Sequence, residues 1–329
     1  MGASLTESES RSAFDAVMQG EATPAQVAGL LVGLRVKGET AEEVAGAADA
    51  LRRAMVRLPS ERAAELVDTC GTGGGAIGTF NISTAAALLA AGLGVRIAKH
   101  GNRSFTSQCG SADVLEALGV PIDVTVDVME RALRDAGIVF MFAPLMHPAM
   151  RHVGPVRREL AIPTVMNIIG PLANPAGAGR QVVGVADARR VPLIAGALRT
   201  LGTVHALIVH GEPGMDEISP LGTTHVVELR DGAMTEWTID PARFGFPSGE
   251  IAELAGGPPA ENAAAVQAVL EGTAPATATA AVVLNAAAAL YVSVEGPSDY
   301  GDAISAAQEG LRNGAGVRAL DRLRLAHRR

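Results

Sequence analysis

Cysteine is nearly absent from this chain, aromatic residues are scarce, and neither a basic excess nor a membrane-length apolar run occurs. Two cysteines, Cys70 and Cys109, cannot build a disulfide framework. As small thiols in tight turns they fit a reduced compartment; a metal or redox pair is the other reading. Aromatics make up 3% of the 329 residues, and abundant alanine and valine supply the positive mean hydropathy. The formal charge of −8 provides no global basic field to draw in nucleic acid. An acidic protein that grips an anion must do so locally, with backbone dipoles, a few Lys or Arg, and a divalent metal. The most apolar stretch, Ala280 to Val294, is about 15 residues long and contains Asn285, which suits a buried helix better than a bilayer span. Met1 to Ser12 is polar and acidic, without a basic-then-apolar signal. It fits the loose myristoylation pattern but lacks a polybasic partner, and one acyl chain anchors only marginally. A cytoplasmic protein without a membrane or nucleic-acid partner is expected.

What the chain does have is concentrated between Val67 and Ser111. Asp68-Thr69-Cys70-Gly71-Thr72-Gly73-Gly74-Gly75 is followed by Asn81-Ile82-Ser83-Thr84 and then by Lys99-His100-Gly101-Asn102-Arg103-Ser104. Four glycines in five positions give easy access to φ > 0 and can turn successive N–H groups toward an anion. A strand ending near Val67 and a helix opening at Ser83-Thr84 complete the parts of a phosphate cradle. Lys99, after the apolar run Val95 to Ala98, can add a mobile point charge. The run Gly71 to Ala76 also fits the G-x-G-x-x-G/A dinucleotide pattern. That pattern needs an acid about 20 residues on, and Leu88 to Lys99 has none. A Walker A loop fails because Thr79 follows Gly78. Taken alone, the glycines fit a plain tight turn equally well. Joined to the amides, hydroxyls and lysine around them, they suit a phosphorylated sugar.

The length favours about two domains. Residues 10 to 58 repeat their apolar positions every three to four residues and read as a small helical domain. Thr23-Pro24 and the capping box Thr40 to Glu43 mark helix starts within it. Leu58-Pro59-Ser60 is its exit, and its apolar faces suit either an internal core or a dimer contact. From Leu66 onward, short apolar runs at Val95–Ala98, Ile138–Phe142, Thr164–Ile168, Gln181–Val185 and Ala206–Val209 alternate with alanine-rich helical patterns. They predict βα units and a mostly parallel sheet. Pro144 to Arg158 reads as loop and short helices that rejoin the helical domain. Val226 to Glu236, with Arg230-Asp231-Gly232, reads as a hairpin. The boundaries are 1–65, joined by part of 144–163, and 66–329.

Met215-Asp216-Glu217 follows a buried apolar run. Adjacent carboxylates at a strand end are hard ligands suited to Mg²⁺, and a solvated acidic turn is the plain alternative. Arg157-Arg158 can hold a carboxylate by a forked contact or be solvated helix charge. His147 and His152 lack helical ligand spacing. Gly170 to Pro175 reads as a rigid turn that can wall a pocket.

In their order and spacing these segments resemble the anthranilate phosphoribosyltransferase family of tryptophan biosynthesis over nearly the whole chain. Gly110-Ser111-Ala112-Asp113, His147-Pro148, Gly170 to Pro175 and Met215-Asp216-Glu217 carry the likeness along with the glycine loop. The resemblance implies an α/β protein with a small N-terminal helical domain hinged to a larger α/β domain, assembled as a homodimer through the helical domain. It implies transfer of the phosphoribosyl group of phosphoribosyl pyrophosphate to the amine of anthranilate. Gly71, Gly74, Gly75, Thr79, Asn81, Ile82, Ser83 and Thr84 would bind the phosphoribosyl pyrophosphate. Lys99, His100, Gly101, Asn102, Arg103, Ser104, Phe105, Thr106, Ser107 and Ser111 would complete that site. Gly71, Asn102, His147 and Arg157 would meet anthranilate; Lys99, Asn102 and Arg157 would be the catalytic groups. Ser83, Asp216 and Glu217 would carry two Mg²⁺ ions. Gly75 departs from the Asp common in the family, and Cys109 from a Ser; neither change removes a phosphate or metal contact. The rival readings are a pyrimidine nucleoside phosphorylase-like enzyme and a non-catalytic nucleic-acid-binding relative.

Overall fold

The computed structural model describes residues 2–104 and 108–328. The chain opens with α1 (Glu7–Gln19), α2 (Pro24–Lys37) and α3 (Ala41–Ala54). Each starts at a threonine, Thr6, Thr23 or Thr40, in a reciprocal capping box with Glu9, Gln26 or Glu43. The box at Thr6 starts the first helix ahead of residue 10, where apolar spacing alone begins it. Glu43 is fully buried. It holds the N–H groups of Leu5 and Thr40 and the Lys37 ammonium at 2.8–2.9 Å. Gly46 lets α3 lie against α1, since a Cβ there would come within 2.4 Å of the Glu7 carbonyl oxygen.

The rest runs β1 (Val67–Gly71), α4 (Ile82–Gly92), β2 (Ile97–Gly101), α5 (Ser111–Ala117), α6 (Val126–Asp135) and β3 (Ile138–Phe142). It continues through α7 (Ala143–Met146), α8 (Gly154–Leu160), β4 (Arg180–Gly184), α9 (Val191–Thr200), β5 (His205–Gly211), β6 (Thr224–Arg230) and β7 (Ala233–Ile239). It closes with α10 (Pro259–Leu270), α11 (Ala276–Val292), α12 (Tyr300–Arg312) and α13 (Ala315–His327). The seven strands form one sheet, ordered β3-β2-β1-β4-β5-β6-β7, parallel from β3 to β5 and antiparallel beyond. Asp231 and Gly232 turn the β6–β7 hairpin with φ of 50° and 81°, where the left-handed backbone favours glycine. The order reverses between β1 and β4. Crevices at such a switch point, beyond the carboxyl ends of the strands, are where open α/β sheets bind ligands.

Thr164–Ile168, expected as a strand, is instead a 3-10 turn at Val165–Asn167. Thr164 Oγ1 accepts the Met166 N–H and Asn167 Oδ1 accepts the Thr164 N–H, so side chains satisfy the backbone that a strand would have paired.

One face of the sheet packs α4 and α10 to α13 into a core rich in alanine and leucine. The buried helix expected around Ala280 is α11, and Asn285 within it holds the Ile218 backbone by both its N–H and its carbonyl. The other face shares its core with the N-terminal helices, from Phe14 and Leu51 through Ile194 on α9 to Val183 and Ile208. α8 and the turn at Pro148–His152 pack onto α2 and α1, so the chain returns to the helical body there. At the antiparallel edge Trp237, Tyr291, Tyr300 and Phe244 stack edge to face. Glu228 accepts from Trp237 Nε1 at 2.9 Å and lies 2.8 Å from His205 Nε2. Among the described residues no helix is long and apolar enough to cross a membrane.

Candidate active site

Gly71 and Gly184 are partners at the carboxyl ends of β1 and β4, directly at the switch point. A Cβ on Gly184 would lie 1.7 Å from the Asp216 carbonyl oxygen, one on Gly71 2.7 Å from Asp216 Oδ2, and one on Gly75 3.0 Å from Asp216 Oδ1. Bare backbone therefore admits the acidic pair between the two strands. Gly73 and Gly74 have φ of 68° and 79°, and the Gly73 N–H donates to Asp216 Oδ2 at 2.9 Å. The glycine run makes room for Asp216 and gives it an N–H, a task that its sequence does not suggest.

Glu217 reaches the start of α4, where its Oε1 accepts the Ser83 N–H at 3.1 Å. Asn81 stands at the cap position of that helix but does not cap it. Its Nδ2 donates to the Cys109 carbonyl at 3.3 Å, and its Oδ1 accepts from Asn262 at 2.8 Å. The cap is supplied from a distance instead: Glu217 takes the Ser83 N–H, while the Phe80 and Asn81 carbonyls take those of Ile82, Thr84 and Ala85. Ile82 and Thr84 are buried in the first turn, and Thr79 runs alongside Ala255.

Lys99 is 3% exposed, so it is not the mobile charge its position suggested. Its Nζ donates to the Thr69 carbonyl and lies 3.3 Å from Thr69 Oγ1 and 3.4 Å from Ser83 Oγ, beneath the loop. Burial pushes the Glu217 carboxyl up to about 8, with Asp216 beside it adding to the rise. Asp216 is raised by burial as well. Two adjacent, desolvated carboxylates short of counter-charge are a site for a cation. Among the described residues no group of three or more His, Cys, Asp and Glu could cage a metal alone. Two carboxylates with Ser83 Oγ suit Mg²⁺, which keeps waters and takes its remaining ligands from substrate phosphates. A cavity of about 10 Å³ beside Thr69, Ser83, Glu217 and Asn285 has room for a single water.

The loop after β2 is tied to α5. The Asn102 carbonyl accepts from the Ala112 N–H and Ser111 Oγ, and Asn102 Oδ1 accepts the Arg103 N–H. Gly101 is required there, since a Cβ would fall 2.1 Å from Ser111 Oγ. The Arg103 guanidinium pairs with Asp113 and Glu116 and covers the Phe142 ring, so its charge is engaged with α5. The Ser104 N–H donates to Asp113 Oδ2 at 3.1 Å. Phe105, Thr106 and Ser107 lie outside the described residues.

On the far side of the loop, His100 Nε2 and His147 Nε2 are 3.1 Å apart. Burial pulls both imidazoles down, to about 3 and about 4, and His147 further disfavours a charge on His100. Both are neutral at physiological pH and line an uncharged wall. Unfolded imidazoles take protons near 6.5, so the stability held by this pair is present above that value and is lost as pH falls through 4 and 3. The His147 shift is worth roughly 3 kcal/mol and the His100 shift roughly 5 kcal/mol. His147→Gln should therefore flatten the fall in melting temperature between pH 6.5 and 4, and an undiminished fall would remove the pair from that account. Arg157 on α8 is half-buried, its guanidinium pulled down by burial, and it forms no ion pair among the described residues. A desolvated guanidinium without an anion is set for a carboxylate.

Two residues of this site had no functional role in the sequence reading. Asp68 is fully buried, its carboxyl held up at about 6 by burial, with Lys99 as its counter-charge. Asn174 donates to Asp68 Oδ2 at 2.7 Å and to the Ala98 carbonyl at 2.8 Å, and Asp68 Oδ1 accepts the His100 N–H at 3.2 Å. Together they fasten β1, β2 and the Gly170–Pro175 turn. The available signal was a carboxylate inside an apolar strand, which must find partners.

This fold and site define a class. Residues 1–55 match the family model described as "Glycosyl transferase family, helical bundle domain", and residues 63–317 the "Glycosyl transferase family, a/b domain". The curated anthranilate phosphoribosyltransferase of Anaeromyxobacter sp. (strain K) is 48% identical over 322 residues, 98% of this chain and 94% of the relative. The crystal structure of anthranilate phosphoribosyltransferase from Thermus thermophilus superposes with a TM-score of 0.94 at 40% identity, covering 100% of this chain and 97% of that one. The Saccharomyces cerevisiae enzyme in complex with PRPP and Mg gives 0.88 at 28% identity, covering 98% and 94%. The chain belongs to the anthranilate phosphoribosyltransferase family.

Proposed function

We propose that this chain transfers the phosphoribosyl group of phosphoribosyl pyrophosphate to the amine of anthranilate. The products are N-(5-phosphoribosyl)anthranilate and pyrophosphate, as a step of tryptophan biosynthesis. The observation that carries this reading is the junction of three features at one switch point: the Asp216–Glu217 pair, the start of α4 that Glu217 meets, and the glycine loop. Anthranilate nitrogen is a neutral nucleophile and needs no strong base, so departure of pyrophosphate is the difficult step. The N–H groups of Gly74 and Gly75 meet phosphate oxygens beside the positive end of α4, while that of Gly73 holds Asp216. Ser83, Asp216 and Glu217 hold Mg²⁺, two ions in this reading; bound there, it neutralises charge building on the leaving group. Lys99 supports that site from below, keeping Glu217 toward its ionised form and holding Ser83 Oγ in place. Asn102 and the backbone of Arg103, Ser104 and Ser111 border the same cleft. Arg157 forks onto the anthranilate carboxylate against the His100–His147 wall, which fixes the amine in line with the sugar.

Residues 1–65 with part of 144–163 form the helical body of this reading, and 66–329 the α/β body. α2 carries the proposal of a homodimer. Its sequence is apolar all round, which suits a covered helix, yet Gly29 and Gly33 face open space and Val36 is 81% exposed. Small residues one turn apart let a second copy approach closely. Gly33→Glu should convert the dimer to monomer in sedimentation velocity; a wild-type chain already monomeric at assay concentration would defeat the idea. Cys70 and Cys109 are not joined in a disulfide, which suits the cytoplasm.

The direct test follows anthranilate fluorescence on mixing protein, anthranilate and phosphoribosyl pyrophosphate. Loss of signal is expected only with Mg²⁺ present. Arg157→Gln should raise the anthranilate KM by roughly tenfold or more while leaving that of phosphoribosyl pyrophosphate nearly unchanged. No loss at saturating substrate, with DNA retained in a shift assay or a nucleoside cleaved by phosphate, would replace this reading with one of its rivals.

A further inference from the structure

At the opposite ends of the strands from Asp216 lies a second cleft, of about 410 Å³, a volume in the range of small-molecule sites. It opens between the carboxyl ends of α4 and α11, with the short turn before β1 and the residue before β2 on its rim. The five residues of β1 place it roughly 16 Å from the substrate loop. Leu93, Val95 and Leu290 give it an apolar wall.

Its charged groups are unevenly matched. Arg62 is paired with Glu65 and has Glu295 within electrostatic reach, so one guanidinium faces two carboxylates. Arg96 lines the same cleft without an ion pair, and its Nε is buried with no hydrogen-bond partner among the described residues. Burying that Nε unmet is costly, while the outer N–H groups of the same guanidinium, without a carboxylate of their own, can take a ligand carboxylate in a forked contact. Glu295 is exposed at the rim and is left over once Arg62 holds Glu65. It suits a ligand ammonium. Two guanidiniums and two carboxylates sum to zero, so the complementary ligand is neutral overall and carries both charges.

We propose that this cleft binds a free α-amino acid with an aliphatic side chain, its carboxylate on Arg96, its ammonium toward Glu295 and its side chain on the Leu93–Val95–Leu290 wall. The site shares no residue with the substrate cleft, so it adds a ligand to the protein beyond its reactants.

Calorimetric titration of the full chain with L-leucine is the test. Saturable binding at one site per chain is expected. Arg96→Gln and Glu295→Gln should each weaken it by roughly tenfold or more, with turnover unchanged. 4-Methylpentanoate, lacking the ammonium, and 3-methylbutylamine, lacking the carboxylate, should each bind roughly tenfold or more weakly than leucine. Arg157→Gln should leave leucine binding intact, which separates this cleft from the catalytic one. The proposal is overturned by no saturable heat up to about 10 mM leucine, by binding that survives Arg96→Gln, or by binding that Arg157→Gln abolishes.

Discussion

Glu217→Gln should cut turnover by roughly a thousandfold and at the same time raise the melting temperature of the metal-free protein. The two effects have one cause. Burial and the neighbouring Asp216 hold the Glu217 carboxyl at about 8, far above its ordinary value. A raised acid stabilises the fold below its unfolded value near 4.5, and that contribution is lost as pH rises through 8. At neutral pH much of the loss has already occurred: the folded wild-type chain keeps a proton on Glu217 that the unfolded chain gives up, which lowers its stability and leaves an acid that only a bound cation would ionise. Glutamine keeps an oxygen for the Ser83 N–H and cannot ionise in either state, giving a gain of about 3 °C or more. Mg²⁺ with phosphoribosyl pyrophosphate should restore the wild-type advantage, because only a carboxylate gains from the ion. Calorimetric scans with and without both, beside steady-state kinetics, measure this. A metal-free melting temperature that falls in the variant would make Glu217 a structural residue.

Lys99→Met should be the most damaging single change to the fold near the site, costing roughly 3–5 kcal/mol. Its ammonium is the counter-charge of Asp68 and acts on Glu217 as well. Removing it strands Asp68 as a buried anion. Adding Asp68→Asn should return part of that stability, because the amide oxygen still accepts the His100 N–H and no charge is left unpaired. Turnover should stay low in the double variant, since Ser83 Oγ has still lost the ammonium beside it. Denaturant midpoints of the four proteins give the coupling energy directly. Losses that merely add would show that Lys99 and Asp68 act independently.

The parts of this molecule legible in the sequence are those whose signals are local. Thr23 announces a helix start by the proline that follows it, and Thr40 by a capping box that closes within four residues. Asp231-Gly232 announces a hairpin because its φ angles demand it. The acidic pair is legible as a metal candidate from its place after the apolar run of β5. Less legible is anything set by residues far apart. Gly73 and Asp216 are 143 positions from each other, and only the folded sheet shows that the glycines open space for the acid. The direction of Lys99 depends on strand register: successive side chains point to opposite faces, so Lys99 goes under the loop and His100 toward His147. Gly75 gains a meaning in the same way. A carboxylate there would approach Asp216, so its absence lowers the negative charge beside the acidic pair. The run at 164–168 misleads because an apolar stretch alone cannot separate a strand from a buried turn.

The aromatic cluster around Glu228 has an optical consequence. Trp237, Tyr291 and Tyr300 are every indole and phenol the chain possesses, and they occupy one corner of the sheet. Emission and near-ultraviolet dichroism therefore watch that corner alone. α1 to α3 contain a single aromatic ring, Phe14, and could come undone while both signals stayed flat. Unravelling of the N-terminal helices must be followed by far-ultraviolet dichroism or hydrogen exchange, and disagreement between such curves would mark a step at which the sheet is still intact.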